Sequence, residues 1–531
     1  MPEARSWQVR WWQNRWQSAT GRWRSATVEQ RRTWRLSAVS AVVGLVVAVA
    51  SVVAAGPWDS GQRTAERARA AGSTATGGER HGGPSRAAPS ASPVLAPLGT
   101  AAIAPSPDSG DDAVPRPTGA GLADALEPLL DDGALGRPRS VSVVDAATGR
   151  QVYGARAEAQ AVPASIIKLA TGVAALSALG PDHRIRTTVV GPDGDGKAGD
   201  GDRIVLVGGG DPTLTAHPVK GADHPASLRR LADRTAAALR KSGTESVRLG
   251  YDTSLYSGPD LHPIGPNENI SPVTPLMIDE GRLDDSDHGP APRSEDPAAD
   301  AARAFASMLR DRGIEVRGEP RPAKAAKTAK AGKTGKDAKA GKDGAKALAT
   351  VRSQPLSALV ERMLTNSDND IAEALARQTA LAAGEPASFD GAGRAVTARL
   401  RALRLPLSGA RIADGSGLDR ADHVSSALLA QVLVRAADPD HPELRPVLTG
   451  LPVAGFTGTL RGRYARDAVG RGVVRAKTGT LTGVNTLAGT VVDADGRLLV
   501  FAFMTNGTTD PQGAQRALDR MASALANCGC R

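Results

Sequence analysis

The chain has 531 residues, 41% of them hydrophobic, so it is long enough for several domains and a sizeable core. The net charge is +10 at pH 7, but two short segments carry it. Residues 1–35 hold eight Arg against two Glu, and residues 323–346 hold eight Lys against two Asp. The remaining chain is left with a net charge of −2, which excludes a nucleic-acid-binding body built on basic charge. We expect no nucleic-acid partner.

The N-terminal segment predicts a membrane anchor. Residues 36–55 are 20 uncharged, mainly apolar residues, enough for one membrane-spanning helix. The arginine excess before this span places the leader, residues 1–35, in the cytoplasm and the body of the protein outside. We therefore expect a single-pass cell-membrane protein. The alternative is a cleavable signal peptide ending near Val53-Ala54-Ala55, followed by secretion.

The leader itself is rich in Trp as well as Arg. Four tryptophans recur at helical spacing, which fits either an amphipathic helix on the inner leaflet or an unstructured leader. They are Trp7, Trp11, Trp12 and Trp16. Residues 56–118 are mostly Ala, Gly, Ser and Pro, a composition typical of a disordered linker.

The body of the chain combines strand and helix patterns. Hairpins are predicted for residues 140–145 with 151–155, and for residues 484–492 with 497–504. Helices are predicted for residues 166–179, 356–364 and 370–383, and Asp370 and Glu373 have the spacing of a capping box at the start of the last one. These patterns predict an α+β fold in which helices flank an antiparallel sheet.

A second folded region interrupts this order. Residues 191–350 contain strands of their own, such as 203–207, and predict an inserted domain. The catalytic domain then comprises residues 119–190 and 351–531. The Lys-rich low-complexity tract, residues 323–349, cannot build a buried face. We interpret it as a solvated loop, with polyanion binding as the alternative.

Cysteine and histidine give little indication of a metal or a redox centre. Cys528 and Cys530 are the only cysteines and fall in the last four residues, where a C-x-C pair at a frayed terminus is most simply incidental. The eight histidines show no paired ligand spacing. We expect neither a metal nor a cofactor.

A serine and a lysine stand one turn apart at the start of the first long helix. Ser165 and Lys168 follow Pro163 and share one face of that helix. A neutral lysine there could take the proton of the serine, provided that burial or a neighbouring cation lowers its pKa. Alone, S-x-x-K is a weak signal, better explained by a helix-capping serine and a surface lysine.

Two further motifs follow in order and favour a catalytic role for Ser165 and Lys168. Ser367-Asp368-Asn369 lies in a polar break between two predicted helices, 202 residues after Ser165. Lys477-Thr478-Gly479-Thr480 comes 110 residues later, at the start of a strand pattern, where a cation and a strand edge could bind a carboxylate. A second K-T-G, at Lys333, lies inside the Lys-rich tract and has no strand context.

With these three motifs, the chain resembles the D-alanyl-D-alanine carboxypeptidase/endopeptidase family, low-molecular-mass penicillin-binding proteins with a large insert between the first two motifs. The resemblance covers about residues 119–526. The segments Gly209-Gly210-Asp211-Pro212-Thr213-Leu214 and Asp414-Gly415-Ser416-Gly417-Leu418-Asp419-Arg420 also resemble that family. The implied fold is the penicillin-binding and β-lactamase-like transpeptidase fold.

The resemblance also implies a mechanism. Ser165 would attack the peptide carbonyl between two D-alanines of a peptidoglycan stem peptide, with Lys168 as general base and an acyl-serine intermediate. Ser367 would relay the proton to the leaving group, and Asn369 would hold the acyl amide and Lys168. Lys477 and Thr478 would bind the terminal carboxylate. The strand residues Gly479 and Thr480 would complete the substrate site, and the N–H groups of Ser165 and Thr480 would form the oxyanion hole.

Two more residues resemble positions that line the pocket for the substrate's diamino acid. These are Arg420 and Asp252, and for each the alternative is an ordinary surface ion pair. The resemblance further implies covalent inhibition by β-lactams. A β-lactamase or esterase on the same fold, and a non-catalytic wall-binding protein, remain as alternative functions.

Overall fold

The computed structural model describes residues 116–191, 203–218, 224–325, 347–466 and 468–530. All of them belong to the unit that runs from Leu95 to Arg531. The predicted leader and membrane span (residues 1–55), nearly all of the predicted linker and most of the Lys-rich tract lie outside the described residues. Among the residues that are described, no helix is both long and apolar enough to cross a membrane.

The helices alternate with strands along most of the chain. The helices are α1 (Gly119–Leu130), α2 (Lys168–Leu179), α3 (Leu228–Lys241), α4 (Pro297–Arg310), α5 (Leu356–Asn366), α6 (Asn369–Ala383), α7 (Phe389–Ala402), α8 (Ser426–Ala437), α9 (Pro446–Thr449) and α10 (Pro511–Ala526). The strands are β1 (Arg139–Asp145), β2 (Gln151–Ala155), β3 (Gln160–Ala161), β4 (Arg186–Val190), β5 (Arg203–Val207), β6 (Ser246–Asp252), β7 (Glu315–Val316), β8 (Arg321–Pro322), β9 (Ala347–Arg352), β10 (Val424–Ser425), β11 (Arg475–Leu481), β12 (Val484–Val492) and β13 (Leu498–Asn506).

A five-stranded antiparallel sheet joins the two ends of the described chain. Its order is β11-β12-β13-β1-β2, so the first strands pair with the last ones. Both predicted hairpins are present, β1 with β2 and β12 with β13, which confirms the α+β fold class. Strand β11 lies at the edge of this sheet, and the start of its outer side pairs with the segment at Pro452 and Val453.

Alternate residues of the central strands face two separate apolar cores, as the two-residue period of a strand requires. Val500, Ala502 and Met504 of β13 face a core formed with α2, α5, α6, α7 and α8. The intervening Leu499, Phe501 and Phe503 face the core under α1 and α10. A sheet covered on both faces explains why β12 and β13 are buried at nearly every position.

A second sheet is built mainly from the segment between the first two motifs. Its order is β7-β6-β5-β4-β9, with β8 beside β6, and helices α3 and α4 pack on it. The sheet begins with β4 at Arg186 and ends with β9 at Arg352, a few residues outside the predicted insert 191–350. The last residues of the predicted Lys-rich tract, 347–349, belong to β9 because they pair with β4.

The predicted capping box at Asp370 is wrong. Helix α6 begins at Asn369, and its N-cap is Asp368, whose carboxylate accepts a hydrogen bond from the backbone N–H of Ile371. Asp370 lies inside the first turn and forms an ion pair with Arg293 instead. Glu373 turns away from the helix end and accepts hydrogen bonds from a neighbouring loop.

The C-terminus is not frayed, contrary to expectation. Cys528 and Cys530 are both buried, with their sulfur atoms in contact, and they pack in the core under α1 and α10. The carbonyl of Cys530 accepts a hydrogen bond from the N–H of Thr118, whose hydroxyl caps α1. The predicted linker therefore ends slightly before residue 118, because Pro117 and Thr118 already belong to the fold.

Candidate active site

Ser165 lies in a 3-10 turn, Ala164–Ile167, that leads directly into α2. Lys168 is the first residue of α2, and its side chain is fully buried. Its Nζ lies 2.9 Å from the hydroxyl of Ser165, 2.7 Å from Oδ1 of Asn369 and 2.6 Å from the backbone carbonyl of Ser416. The structure thus joins the first two motifs around one amine.

Burial lowers the pKa of Lys168 to about 8, because a desolvated ammonium is disfavoured. The nearby carboxylates of Asp414, Asp368, Glu373 and Asp422 act in the opposite direction and keep the pKa from falling further. At neutral to mildly alkaline pH, a useful fraction of Lys168 is therefore the neutral amine that a general base must be.

The second motif occupies a sharp turn between α5 and α6. Ser367 ends α5 in the left-handed conformation, with φ of 60° and ψ of 38°. Its hydroxyl accepts a hydrogen bond of 2.8 Å from Nζ of Lys477, which also donates to the carbonyl of Thr478 at 2.7 Å. Lys477 is fully buried, and its pKa is lowered well below the ordinary value by burial and then by the charge of Lys168.

Strand β11 lies directly against the turn that carries Ser165. A Cβ atom on Gly479 would lie 2.8 Å from the carbonyl oxygen of Pro163 and 3.1 Å from the N–H nitrogen of Ser165. Only glycine permits this approach. The hydroxyl of Thr486 on β12 donates to the same Pro163 carbonyl at 2.8 Å and fixes the contact.

The two motif serines open into one cleft of about 430 Å³. Members of all three motifs contribute to its walls, together with residues of α10 and of the segment around residue 290. Among the lining residues are Ser165, Ser367, Asn369, Thr478, Thr480 and Arg293. The cleft therefore offers two serine hydroxyls and a strand to one elongated ligand, and the buried amines of Lys168 and Lys477 contact those hydroxyls.

The two predicted pocket residues lie elsewhere. Arg420 is exposed and donates a hydrogen bond of 2.5 Å to the carbonyl of Thr482, two residues beyond Thr480. Asp252 is at the end of β6, where its carboxylate accepts hydrogen bonds from the N–H groups of Ser254 and Ala325. Neither residue lines the cleft that holds Ser165.

The loop that carries the Ser416 carbonyl was not assigned a role from the sequence. Asp414 accepts hydrogen bonds from the N–H groups of Gly417 at 2.6 Å and Ser416 at 3.1 Å. One oxygen of Glu373 accepts from the N–H groups of Gly415 and Ser416, both at 3.0 Å. The D-G-S-G spelling is a signal for such a carboxylate-bound loop, but it does not reveal that the loop accepts from Lys168.

Two charged pairs lie behind this loop. His262 contacts Asp414 at 2.9 Å, and Arg377 contacts Glu373 at 3.1 Å; all four side chains are almost completely buried. Arg377 therefore compensates the charge of Glu373, and His262 compensates that of Asp414 when the imidazole is protonated.

A similar cluster of Glu280, Asp368 and Asp370 has the spacing of a metal site. Arginines neutralise it, since Arg293 pairs with Asp370, and Arg282 and Arg362 pair with Glu280. Three guanidinium groups against three carboxylates leave no excess negative charge for a cation. We therefore assign no metal to this cluster, nor to the one around Asp414.

Comparison with known proteins agrees with this geometry. A profile of the D-Ala-D-Ala carboxypeptidase 3 (S13) family matches residues 122–292 and 286–528. The carboxypeptidase DacB of Mycolicibacterium smegmatis is 36% identical over 446 residues, covering 80% of this chain and 90% of that protein. The D-alanyl-D-alanine carboxypeptidase of an Actinomadura species is 28% identical over 468 residues, covering 73% and 82% of the two chains.

A solved structure has the same fold. Penicillin-binding protein 4 (dacB) from Haemophilus influenzae matches with a TM-score of 0.59 and 23% identity, covering 76% of this chain and 98% of that one. Sequence and fold together confirm the family predicted from the three motifs. The chain belongs to the D-Ala-D-Ala carboxypeptidase 3 (S13) family and is a serine-type carboxypeptidase with the fold of the low-molecular-mass penicillin-binding proteins.

Proposed function

We propose that Ser165 is the nucleophile with which this chain hydrolyses the D-Ala-D-Ala bond of peptidoglycan stem peptides, as a carboxypeptidase or endopeptidase. The observation that carries the proposal is the environment of Lys168 Nζ. It has three partners, of which the Asn369 amide oxygen and the Ser416 carbonyl can only accept hydrogen bonds. The third partner is the Ser165 hydroxyl, which can donate.

A neutral amine fits this site without rearrangement. Its two hydrogens are donated to Asn369 and Ser416, and its lone pair then points to the Ser165 hydroxyl. Ser165 attacks the carbonyl carbon as Lys168 takes its proton. A C–O bond forms, the C–N bond to the terminal D-alanine breaks, and the proton reaches the leaving nitrogen through the hydroxyl of Ser367. Water then cleaves the acyl ester, and Ser165 recovers a proton.

The edge strand supplies the remaining groups. The N–H groups of Ser165 and Thr480 bind the oxyanion, and each such donor contributes roughly 3 kcal/mol to the stabilisation of the transition state. The contact of Gly479 with the Ser165 turn supports this role, because it brings the two backbones together. Lys477 and Thr478 bind the terminal carboxylate, whose negative charge favours the protonated form of the buried lysine.

β-Lactams follow the same course up to the acyl-enzyme. The nitrogen released from the ring stays attached to the acyl group, so it blocks the cleft instead of leaving. We therefore propose that β-lactams acylate Ser165 and inhibit the enzyme covalently. Arg420 remains our candidate for contact with the diamino acid, since its partner Thr482 follows Thr480 closely. Asp252 remains a prediction from family resemblance alone.

The place of action is the outer face of the cell membrane. The 20 uncharged residues 36–55 and the basic leader before them support a single-pass anchor with the catalytic domain outside. Extraction of membranes with alkaline carbonate tests this. We expect the full-length chain to stay in the membrane fraction and a chain lacking residues 36–55 to be released, whereas release of both would indicate a cleaved signal peptide.

The nucleophile is tested by intact-mass spectrometry of the full-length chain in detergent after incubation with benzylpenicillin. We expect a single penicilloyl adduct that Ser165→Ala abolishes, together with loss of D-alanine release from a stem pentapeptide. Ser408→Ala, at an exposed serine away from the cleft, is the matched control. Rapid destruction of the drug without an adduct would indicate a β-lactamase, and intact drug without an adduct would favour a wall-binding protein.

A further inference from the structure

The three residues that follow Ser367 all contact one segment of the region between the first two motifs. This segment, residues 268–293, is called the clamp segment below. Nδ2 of Asn369 donates to the carbonyl of Asn269 at 2.9 Å. Asp370 accepts from the N–H of Ser271 at 3.0 Å. The carboxylate of Asp368 lies within 4.8 Å of that of Glu280 in the clamp segment, and Arg362 contacts both carboxylates.

Arg293 connects the clamp segment to the first turn of α6. Its guanidinium contacts the carboxylate of Asp370 at 3.0 Å, and it also donates to the carbonyls of Glu280 at 2.6 Å and Glu268 at 3.3 Å. The side chain is only 5% exposed although it borders the cleft. One buried group thus connects both ends of the clamp segment to the start of α6.

The contact with Glu268 bears on the adjacent residue, Asn269. Because Arg293 holds the Glu268 carbonyl and the first turn of α6 together, it fixes where the Asn269 carbonyl lies relative to Asn369. The amide of Asn369 has one accepting oxygen and one donating nitrogen. With the nitrogen bound to Asn269, the oxygen faces Lys168.

An Asn369 amide released from Asn269 could turn its nitrogen towards Lys168. A donor would then face an amine that needs an acceptor, so the ammonium form would be less stable and the amine would be misdirected. The other charges around Lys168 would be unchanged. They are Asp414, Asp368, Glu373, Asp422 and Lys477, with His262 behind Asp414.

We propose that Arg293 is a positioning residue: it holds the clamp segment so that the Asn269 carbonyl orients the Asn369 amide, and through it the base Lys168. The inserted region is by this inference part of the catalytic apparatus and not only an appended domain. The inference rests on the proposed function, because it gives Lys168 the role of general base.

The test measures the rate of acylation of the full-length chain by benzylpenicillin between pH 6 and pH 10. Arg293→Gln removes the charge and two of the three contacts. We expect the maximal rate to fall about tenfold or more, since small displacements of reacting groups are costly. We also expect the rise of rate with pH to move to lower pH by about half a unit, because Lys168 loses an acceptor.

A control variant separates positioning from loss of stability. Arg497→Gln removes another largely buried ion pair, with Asp145, at the end of the five-stranded sheet remote from Gly479. We expect it to lower the melting temperature comparably without moving the pH profile. Arg293→Lys keeps a cation beside Asp370 but cannot reach three acceptors at once, so an intermediate rate is expected. If Arg293→Gln fails to fold, the acylation rate and pH profile of Arg293→Lys test the proposal instead.

The outcomes distinguish the two proposals. If the wild-type chain is not acylated at Ser165, the proposed function fails and not merely the role of Arg293. If the wild type is acylated but the folded Arg293 variants keep its maximal rate, the positioning role is wrong. A reduced rate with an unmoved pH profile, as expected of general damage to the fold, would also overturn it.

Discussion

Lys168 and Lys477 are both fully buried, and the positive charge of Lys168 adds to burial in lowering the pKa of Lys477. Each amine contacts a different hydroxyl, Lys168 that of Ser165 and Lys477 that of Ser367. A ligand that brings negative charge is needed to stabilise the protonated form of the desolvated Lys477. A peptide ending in a carboxylate meets this requirement, and a neutral ester does not.

The pKa of Lys168 predicts the pH dependence of acylation. With Lys168 as the proposed general base, the neutral amine is the active form. Since its pKa is about 8, the rate constant for acylation by benzylpenicillin should rise with pH through a midpoint near that value. Stopped-flow or quenched acylation assays measure this. A rate that is constant between pH 6 and pH 10 would show that Lys168 is not the base.

Gly479 should tolerate no side chain. In Gly479→Ala the added Cβ would press on Pro163, the N–H of Ser165 and the hydroxyl of Thr486, so β11 must move away from Ser165. We expect acylation to slow by about a hundredfold while the chain remains folded. Gly133→Ala is the matched control, since a Cβ there meets no atom within 4 Å. An unchanged rate in Gly479→Ala would disprove the close contact.

Glu373→Gln should lower both the free energy of unfolding and the pKa of Lys168. The change leaves the buried Arg377 without its counter-charge, at a cost of about 3 kcal/mol in the free energy of unfolding. It also removes a negative charge that raises the pKa of Lys168, so the rise of acylation with pH should move to lower pH. Chemical denaturation and the acylation profile measure the two effects separately.

The loss of stability in Glu373→Gln can be traced to its cause by a second change. Replacing Arg377 as well, in Glu373→Gln with Arg377→Leu, removes the uncompensated cation and should restore part of the unfolding free energy. If the double variant were as unstable as the sum of the two single variants, the pair would not be coupled in the way that its 3.1 Å contact indicates.

His262 should stabilise the fold mainly at acidic pH. Burial alone would lower its pKa, but the hydrogen bond to Asp414 and the charges of Glu373 and Asp414 outweigh burial, and the pKa is raised above 6.5. The folded state therefore binds the proton more tightly than the unfolded state does. The difference in unfolding free energy between wild type and His262→Asn should be largest below pH 6.5 and shrink as pH rises through the folded pKa. A difference that grows with pH would contradict this.

Local patterns sufficed for much of the fold. The period-two alternation and turn residues predicted the hairpins β1-β2 and β12-β13, and the helical period predicted α2, α5 and α6 to within a few residues. The capping residue of α6 could not be chosen in the same way, since Asp368 and Asp370 are both good caps. The choice depended on Arg293, 75 residues before Asp368, which draws Asp370 into an ion pair.

The candidate reactive groups and their order along the chain could be predicted from the sequence alone. S-x-x-K, S-D-N and K-T-G are short motifs, and each contains chemically distinctive side chains in a recognisable local context. The partners that make these groups reactive come from distant segments: the Ser416 carbonyl on Lys168, the Asn269 carbonyl on Asn369 and the Pro163 carbonyl against Gly479. All three partners are backbone carbonyl oxygens, which every residue possesses. Carboxylates and an arginine that look like ordinary surface charges in the sequence hold the first two in place. Burial of Lys168 and Lys477, and with it their lowered pKa values, exists only once the two cores and the inserted region have closed around them.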